Sequence, residues 1–277
     1  MTTKIWVPAG RIPTKARKNF AALVADIRHA VFSVQRFRPR TDGLFDITPL
    51  GSGFFVGSEV FVTCRHVIDG PLFPHKDGDQ YRLVNNLDGE HGFMHEVGGE
   101  IGKDIHLFPE DDFAVLISHS KKDQAFMPVS YSDIPVGMAM GVAGYPLAQA
   151  TVDASKNLTL SGVIYRISEG VANAVYRTDL NFKNDVPMKD VPVVEVNFLF
   201  VPGNSGGPIF DIETGRAVAF VKGFRYPKVI ETAETCNLMS VPPGMSPQYL
   251  SAIYALYSVG ITLPRVRVHL EKFGVTL

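Results

Sequence analysis

Cysteine is nearly absent from this chain. Of 277 residues only Cys64 and Cys236 are thiols. Two cysteines cannot staple a small disulfide scaffold, and such usage suits a reducing compartment, so a cytoplasmic protein is expected. Net charge is nearly absent too, at −1, which removes any general electrostatic attraction to nucleic acid or to a membrane surface. The densest basic stretch, Arg11 to Lys18, reads as a solvated terminus rather than a binding arm. No apolar run reaches the ~18–20 residues of a membrane span. Residues 1–20 carry positive charge without the apolar core of a secretory signal. There is no internal repeat and no low-complexity tract. What remains is a globular composition, 45% hydrophobic and 20% charged, on a chain long enough for a sizeable core.

Short apolar runs separated by turn signals dominate the chain. They include Ala30 to Val34, Gly51 to Gly57, Val60 to Thr63, Gln80 to Val84, Phe113 to Ile117, Ala139 to Gly144, Leu158 to Ile167, Val171 to Thr178, Val193 to Val201 and Arg216 to Val221. That pattern predicts an all-β chain, either barrels or a sandwich. Helical spacing occurs at three places: Ala16 to Ile27, Pro247 to Val259 and Val266 to Phe273. The apolar content of the second of these, Tyr249 to Tyr257, would suit packing on the fold, or a homo-oligomer or regulatory partner. Arg36 to Thr48 is polar, holds Pro39 and Gly43, and is expected to be a loop.

One turn stands out. Pro202-Gly203-Asn204-Ser205-Gly206-Gly207-Pro208 sets a single serine among three glycines. Such a turn holds Ser205 at a fixed bend and can aim backbone N–H groups at a substrate carbonyl oxygen. A serine hydroxyl needs a base, and the base needs a group to orient it. His66, at the end of the strand-like run Phe61 to Cys64, is the best base. Asp112 directly precedes the apolar strand Phe113 to Ile117 and is the best orienting carboxylate. Its neighbour Asp111 is expected to face outward, since successive side chains of a strand point to opposite faces. His91 and His95 are four apart beside Glu96, but the glycines around them argue for a loop, so no metal site is expected. Cys64 is expected to pack as a small hydrophobe.

Taken together, Val62-Thr63-x-x-His66-Val67, Asp112-Phe113-Ala114-Val115-Leu116, Gly144-Tyr145-Pro146 and Gly203-Asn204-Ser205-Gly206-Gly207-Pro208 resemble the chymotrypsin-like (trypsin-fold) serine peptidases. His66-Val67-Ile68-Asp69-Gly70, Asn204 before the serine and the short helix entering Ala30 to Val34 make the bacterial HtrA-type branch the nearest look-alike. The resemblance implies two packed six-stranded antiparallel β-barrels with short N- and C-terminal helices. It implies one peptidase domain over 1–277, with a first barrel over 28–130, a second over 131–263 and a terminal helix over 264–277. It implies Ser205 as nucleophile, His66 as acid–base and Asp112 as its orienter, with the Gly203 and Ser205 N–H groups as oxyanion hole. The substrate would be a protein or peptide, and no cofactor is implied. Leu199, Lys222, Gly223 and Phe224 would line the substrate, and Phe224 would shorten the pocket toward a small aliphatic residue. Two departures carry expectations. Asn204 replaces the Asp of the digestive enzymes, so no zymogen cleavage of the trypsin kind is expected. The chain ends soon after its last helix, so no PDZ domain is expected. The competing reading is a catalytically silent trypsin-fold binding or regulatory module.

Overall fold

The computed structural model describes residues 20–86, 92–119, 124–146, 149–152, 158–161, 164–181, 186–225, 228–230, 253–254 and 257–276. Seven strands make the first sheet: β1 (Val31–Pro39), β2 (Phe45–Phe55), β3 (Val60–Cys64), β4 (Gln80–Asn86), β5 (Gly92–Val97), β6 (Ile105–Phe108) and β7 (Phe113–Ile117). Their order is β5-β4-β1-β2-β3-β7-β6, and every pairing is antiparallel. The sequence reading gave this layer six strands; the seventh arises because β6 pairs with β7 at one edge. A second sheet closes into a barrel of six, ordered β11-β12-β17-β14-β13-β8. Its strands are β8 (Ala139–Gly144), β11 (Arg166–Leu180), β12 (Met188–Val196), β13 (Pro208–Asp211), β14 (Ala217–Arg225) and β17 (Tyr257–Thr262). Two small ribbons complete the strands, β9 (Gln149–Val152) with β10 (Leu158–Ser161), and β15 (Lys228–Ile230) with β16 (Ile253–Tyr254). The all-β, double-barrel architecture is thus the one the sequence indicates.

Burial explains why these segments are strands. Phe113, Ala114, Val115 and Leu116 are fully buried, as are Phe54, Phe55, Phe61 and Val62. Runs this apolar can be covered on both faces only inside a rolled sheet. The rings of Phe32, Phe55 and Phe61 meet edge to face at 5.1–6.4 Å between centroids, the arrangement that ring quadrupoles favour. His95 packs by its ring against Phe32 and Phe55. Burial lowers its pKa, which keeps it neutral and structural. His91 lies outside the described residues.

Two helices tie the layers together. Helix α1 (Phe20–Ile27) buries Leu23 and Ile27 completely. It leads into β1 of the first sheet, yet Leu23 lies so close to Gly215 of the second barrel that a Cβ there would meet it at 2.8 Å. After β17 the chain makes a 3₁₀ turn, Leu263–Val266, and then a short helix over Arg267–Glu271. That helix returns to the first sheet: His269 stacks on Phe108 at 3.9 Å.

Two expectations fail. Of Arg36 to Thr48 only residues 40–44 form a loop, because β1 and β2 continue as a hairpin through Arg36↔Thr48 and Arg38↔Asp46. The ladder satisfies its backbone, and Arg38 forks onto Asp79 at 2.6 and 2.7 Å. The helix expected over Pro247 to Val259 is also absent from its described part. Ile253–Tyr254 and Tyr257–Thr262 are strands, and β17 is held on both sides, by β12 and β14. Barrel closure outweighs a helical spacing of apolar residues. Among the described residues, no helix is long and apolar enough to cross a membrane.

Candidate active site

The site forms where the two layers face each other. Strand β3 ends at Cys64 and the chain turns into a one-turn helix, α2 (Arg65–Ile68), which carries His66. The N–H groups at the start of a helix lack partners within it. Here Asp112 takes two of them: its carbonyl accepts from Arg65 N at 3.0 Å, and its Oδ1 accepts from His66 N at 3.0 Å. The other carboxylate oxygen, Oδ2, lies 2.7 Å from His66 Nδ1.

Asp112 caps the 3₁₀ turn Pro109–Asp111 with a φ of +45°. A left-handed conformation costs a residue with a Cβ about 1–2 kcal/mol. The backbone holds it because the carboxylate is pinned by several donors at once. Asp111 points away from Asp112, but it sits in the turn and not on the strand, and its side chain is 13% exposed rather than turned outward to solvent. Arg265 Nε donates to it at 2.6 Å and His269 Nε2 lies 2.7 Å away.

The Ser205 turn is gripped from both layers. From β14, Val221 O accepts Gly206 N–H at 2.8 Å, and Val221 N–H returns to Gly207 O at 2.9 Å. From β2, Ser52 N–H donates to Ser205 O at 2.9 Å. The Ser52 hydroxyl donates to Gly203 O at 2.6 Å and accepts Tyr145 N–H at 2.8 Å. Thr63 completes the link by donating from Oγ1 to Ser52 O at 2.7 Å. Gly51 lies between Val67, next to His66, and the Ser205 carbonyl; a Cβ there would sit 2.7 and 2.9 Å from them. The serine turn is therefore packed directly onto the segment that presents His66. Gly203, at φ +97°, gives the turn its sharpness. Among the described residues the N–H groups of Gly203 and Ser205 donate to no protein acceptor, and no hydrogen bond joins the Ser205 hydroxyl to His66.

Lys222 sits elsewhere than expected. It does not line a substrate groove: its side chain is 2% exposed and its Nζ lies 2.5 Å from Asp112 Oδ2. The nearby β14 register is shifted between Val221 and Gly223, and Lys222 is one of the inward-turned residues. Gly223 follows at φ +150°. Leu199 is 58% exposed, so it is not the floor of a closed pocket. The Phe224 side chain lies outside what is described.

Burial alone would raise the pKa of Asp112. The charges of His66 and Lys222 and their hydrogen bonds outweigh it and hold the carboxyl well below the usual range. Burial pushes the Cys64 thiol well up, and its Sγ rests 3.2 Å from Val221 O, which suits an S–H donor. Cys64, His66 and Asp112 place ligand atoms within 4.8 Å of one another. As a metal cage this set fits poorly. The thiol stays protonated, and a lysine ammonium already occupies the carboxylate.

Sequence reasoning missed Ser52, Arg65 and the true place of Lys222. A lysine continuing the apolar run Val218 to Val221 was the available signal for the last.

Comparison with known proteins follows the same lines. No curated protein matches this chain by sequence. The solved structure of the HtrA-type protease AlgW with decapeptide has the same fold, with a TM-score of 0.57 over 92% of this chain at 17% identity. This chain spans 66% of that chain's length. A family model, that of the trypsin-like peptidase domain, matches residues 51–220, more than half of the chain. That match runs from the strand beneath the Ser205 turn to the strand beside it and takes in His66, Asp112 and Ser205, so the chain belongs to the trypsin-like peptidase family.

Proposed function

We propose that this chain is a serine endopeptidase that hydrolyses peptide bonds through an acyl-enzyme. The observation that carries the reading is the 2.7 Å contact between His66 Nδ1 and Asp112 Oδ2. A carboxylate there makes Nδ1 the protonated nitrogen and leaves Nε2 with its lone pair, the state a general base needs. Ser205 attacks the scissile carbonyl and its proton passes to His66 Nε2. The C–N bond then breaks as His66 returns that proton to the leaving amine. A water, activated in the same way, frees the acid. The unengaged N–H groups of Gly203 and Ser205 would receive the developing oxyanion. A protein or peptide substrate fits the decapeptide bound by the HtrA-type relative.

Asn204 supports activity without trypsin-type processing. It is buried, and its Oδ1 lies against Gly144, where a Cβ would sit 3.2 Å from it. A neutral amide needs no ammonium partner.

A fluorophosphonate probe tests the proposal. The native protein is expected to label, and Ser205→Ala to lose all labelling. One observation favours the alternative, a binding module without turnover: the missing hydrogen bond between Ser205 and His66. Such bonds often tighten only around substrate. Folded protein that never labels, with or without peptides, would decide for the module.

Ser52 gives a second expectation. Ser52→Ala removes the hydroxyl that bonds the half-buried Gly203 O and the Tyr145 N–H. The expected loss is about 1–3 kcal/mol in urea unfolding. A turn displaced by an ångström should also lower kcat by about 10², read as hydrolysis of a peptide substrate.

A further inference from the structure

A lysine inside a protein must have a counter-charge. Lys222 has one, but it is shared. Asp112 Oδ2 accepts from Lys222 Nζ at 2.5 Å and lies 2.7 Å from His66 Nδ1, and Nζ stands 3.4 Å from that same ring nitrogen. On the other oxygen, Arg65 Nε lies 3.8 Å from Oδ1. The carboxylate that should stabilise the imidazolium is thus already neutralised by a fixed cation beside the ring.

We propose that Lys222 is a positioning residue that sets the basicity of His66 through Asp112. The proposal rests on the serine endopeptidase reading, because it assigns His66 its base role. Among the described residues, the groups around the ring come from four places. From β3 comes the Cys64 thiol, which burial keeps protonated. From α2 comes Arg65, from the turn before β7 comes Asp112, and from β14 comes Lys222. Asp69, at the end of α2, spends its Oδ1 on His75 N–H at 3.1 Å. Asp111 is engaged by Arg265 and His269. Among the described residues, the charges nearest Nδ1 are therefore Asp112, Lys222 and Arg65, and the Lys222 ammonium stands 3.4 Å from the ring nitrogen.

The sign follows from charge alone. A positive charge this close opposes protonation, so taking it away makes His66 easier to protonate. In Lys222→Met the acid limb of kcat/KM should move up by about 1–2 pH units. The imidazole titration followed by NMR on ¹⁵N-labelled protein should move up with it. Lys222→Arg keeps the cation and should leave the limb near its native place. Lys222→Gln keeps a donor to Asp112 without the charge and should shift as Lys222→Met does, so it carries the test if the methionine variant fails to fold. A folded, uncharged variant whose limb and imidazole titration stay put would overturn the proposal. So would a loss of rate equal at every pH, which is what a purely structural lysine gives. The NMR titration needs no turnover. An imidazole shift in protein that never hydrolyses peptide would support the role of Lys222 while refuting the endopeptidase reading.

Discussion

Asp112→Ala should lose about 3–5 kcal/mol of stability and, in whatever still folds, about 10⁴ in kcat. The two losses have different origins. The rate falls because His66 loses the partner that fixes its tautomer and stabilises its charged form. Stability falls because Asp112 is the hub of a buried ionic cluster. It accepts from His66 N, His66 Nδ1 and Lys222 Nζ and stands 3.8 Å from Arg65. Truncation leaves the Lys222 ammonium inside the protein without this carboxylate. Removing one partner of such a pair costs far more than removing both. The double variant Asp112→Ala with Lys222→Met should therefore recover much of the stability and none of the rate. Urea midpoints and peptide hydrolysis of the four proteins form the test. A single-variant loss below about 1 kcal/mol would refute the account. The acid side follows from the same cluster. The folded pKa of Asp112 is depressed, so its contribution is full above the ordinary carboxylate value of about 3.9. It is lost as the pH falls from there through the lower folded value. The alanine variant should accordingly show a flatter acid edge.

How much of this was legible in the sequence depended on how local each feature is. The Ser205 turn announces itself because three glycines and two prolines in seven residues fix a backbone shape without outside help. His66 and Asp112 each flank an apolar strand, and β7 matches its expected span, Phe113–Ile117. The order of these segments was enough to suggest the fold. Partners brought together by packing were not legible. Ser52 is separated from Gly203 by 151 residues and Lys222 from Asp112 by 110, and no spacing rule links them. Lys222 was read by family position as a groove residue, whereas its burial inside β14 decides its role. The C-terminal misreading has a related cause. Tyr249, Leu250, Ile253, Leu256 and Tyr257 keep a helical period, yet Val259, Ile261 and Thr262 are β-branched, and two open barrel edges were waiting for them. The hairpin arms at Arg36 to Thr48 were hidden by polarity, because ladder hydrogen bonds do not register in hydropathy.

Gly206→Ala should abolish measurable hydrolysis and cost about 2–5 kcal/mol, the sum of backbone strain and overpacking. Gly206 has a φ of +84°. A Cβ there would lie 2.2 Å from Thr63 Oγ1, 2.3 Å from Ser52 O and 2.9 Å from Cys64 N. Two of these three are main-chain atoms of β2 and β3, which cannot swing away as the Thr63 side chain could. The turn can accept the methyl only by separating from the first sheet. That movement breaks the hydrogen bonds from Ser52 that hold Ser205 O and Gly203 O. The proposed nucleophile and the N–H groups proposed for the oxyanion hole would shift together. Losing one such donor costs about 10²–10³ in turnover, and a misplaced nucleophile about as much again per ångström. Gly137 supplies the control. Its φ is +86°, but nothing lies within 4 Å of its would-be Cβ. Gly137→Ala should show the strain alone, about 1–2 kcal/mol, with labelling and hydrolysis intact. Thermal melting and the rate of fluorophosphonate labelling on both variants separate strain from collision. Equal losses in the two proteins would mean that left-handed strain, and not the grip of β2 and β3 on the serine turn, limits what position 206 accepts.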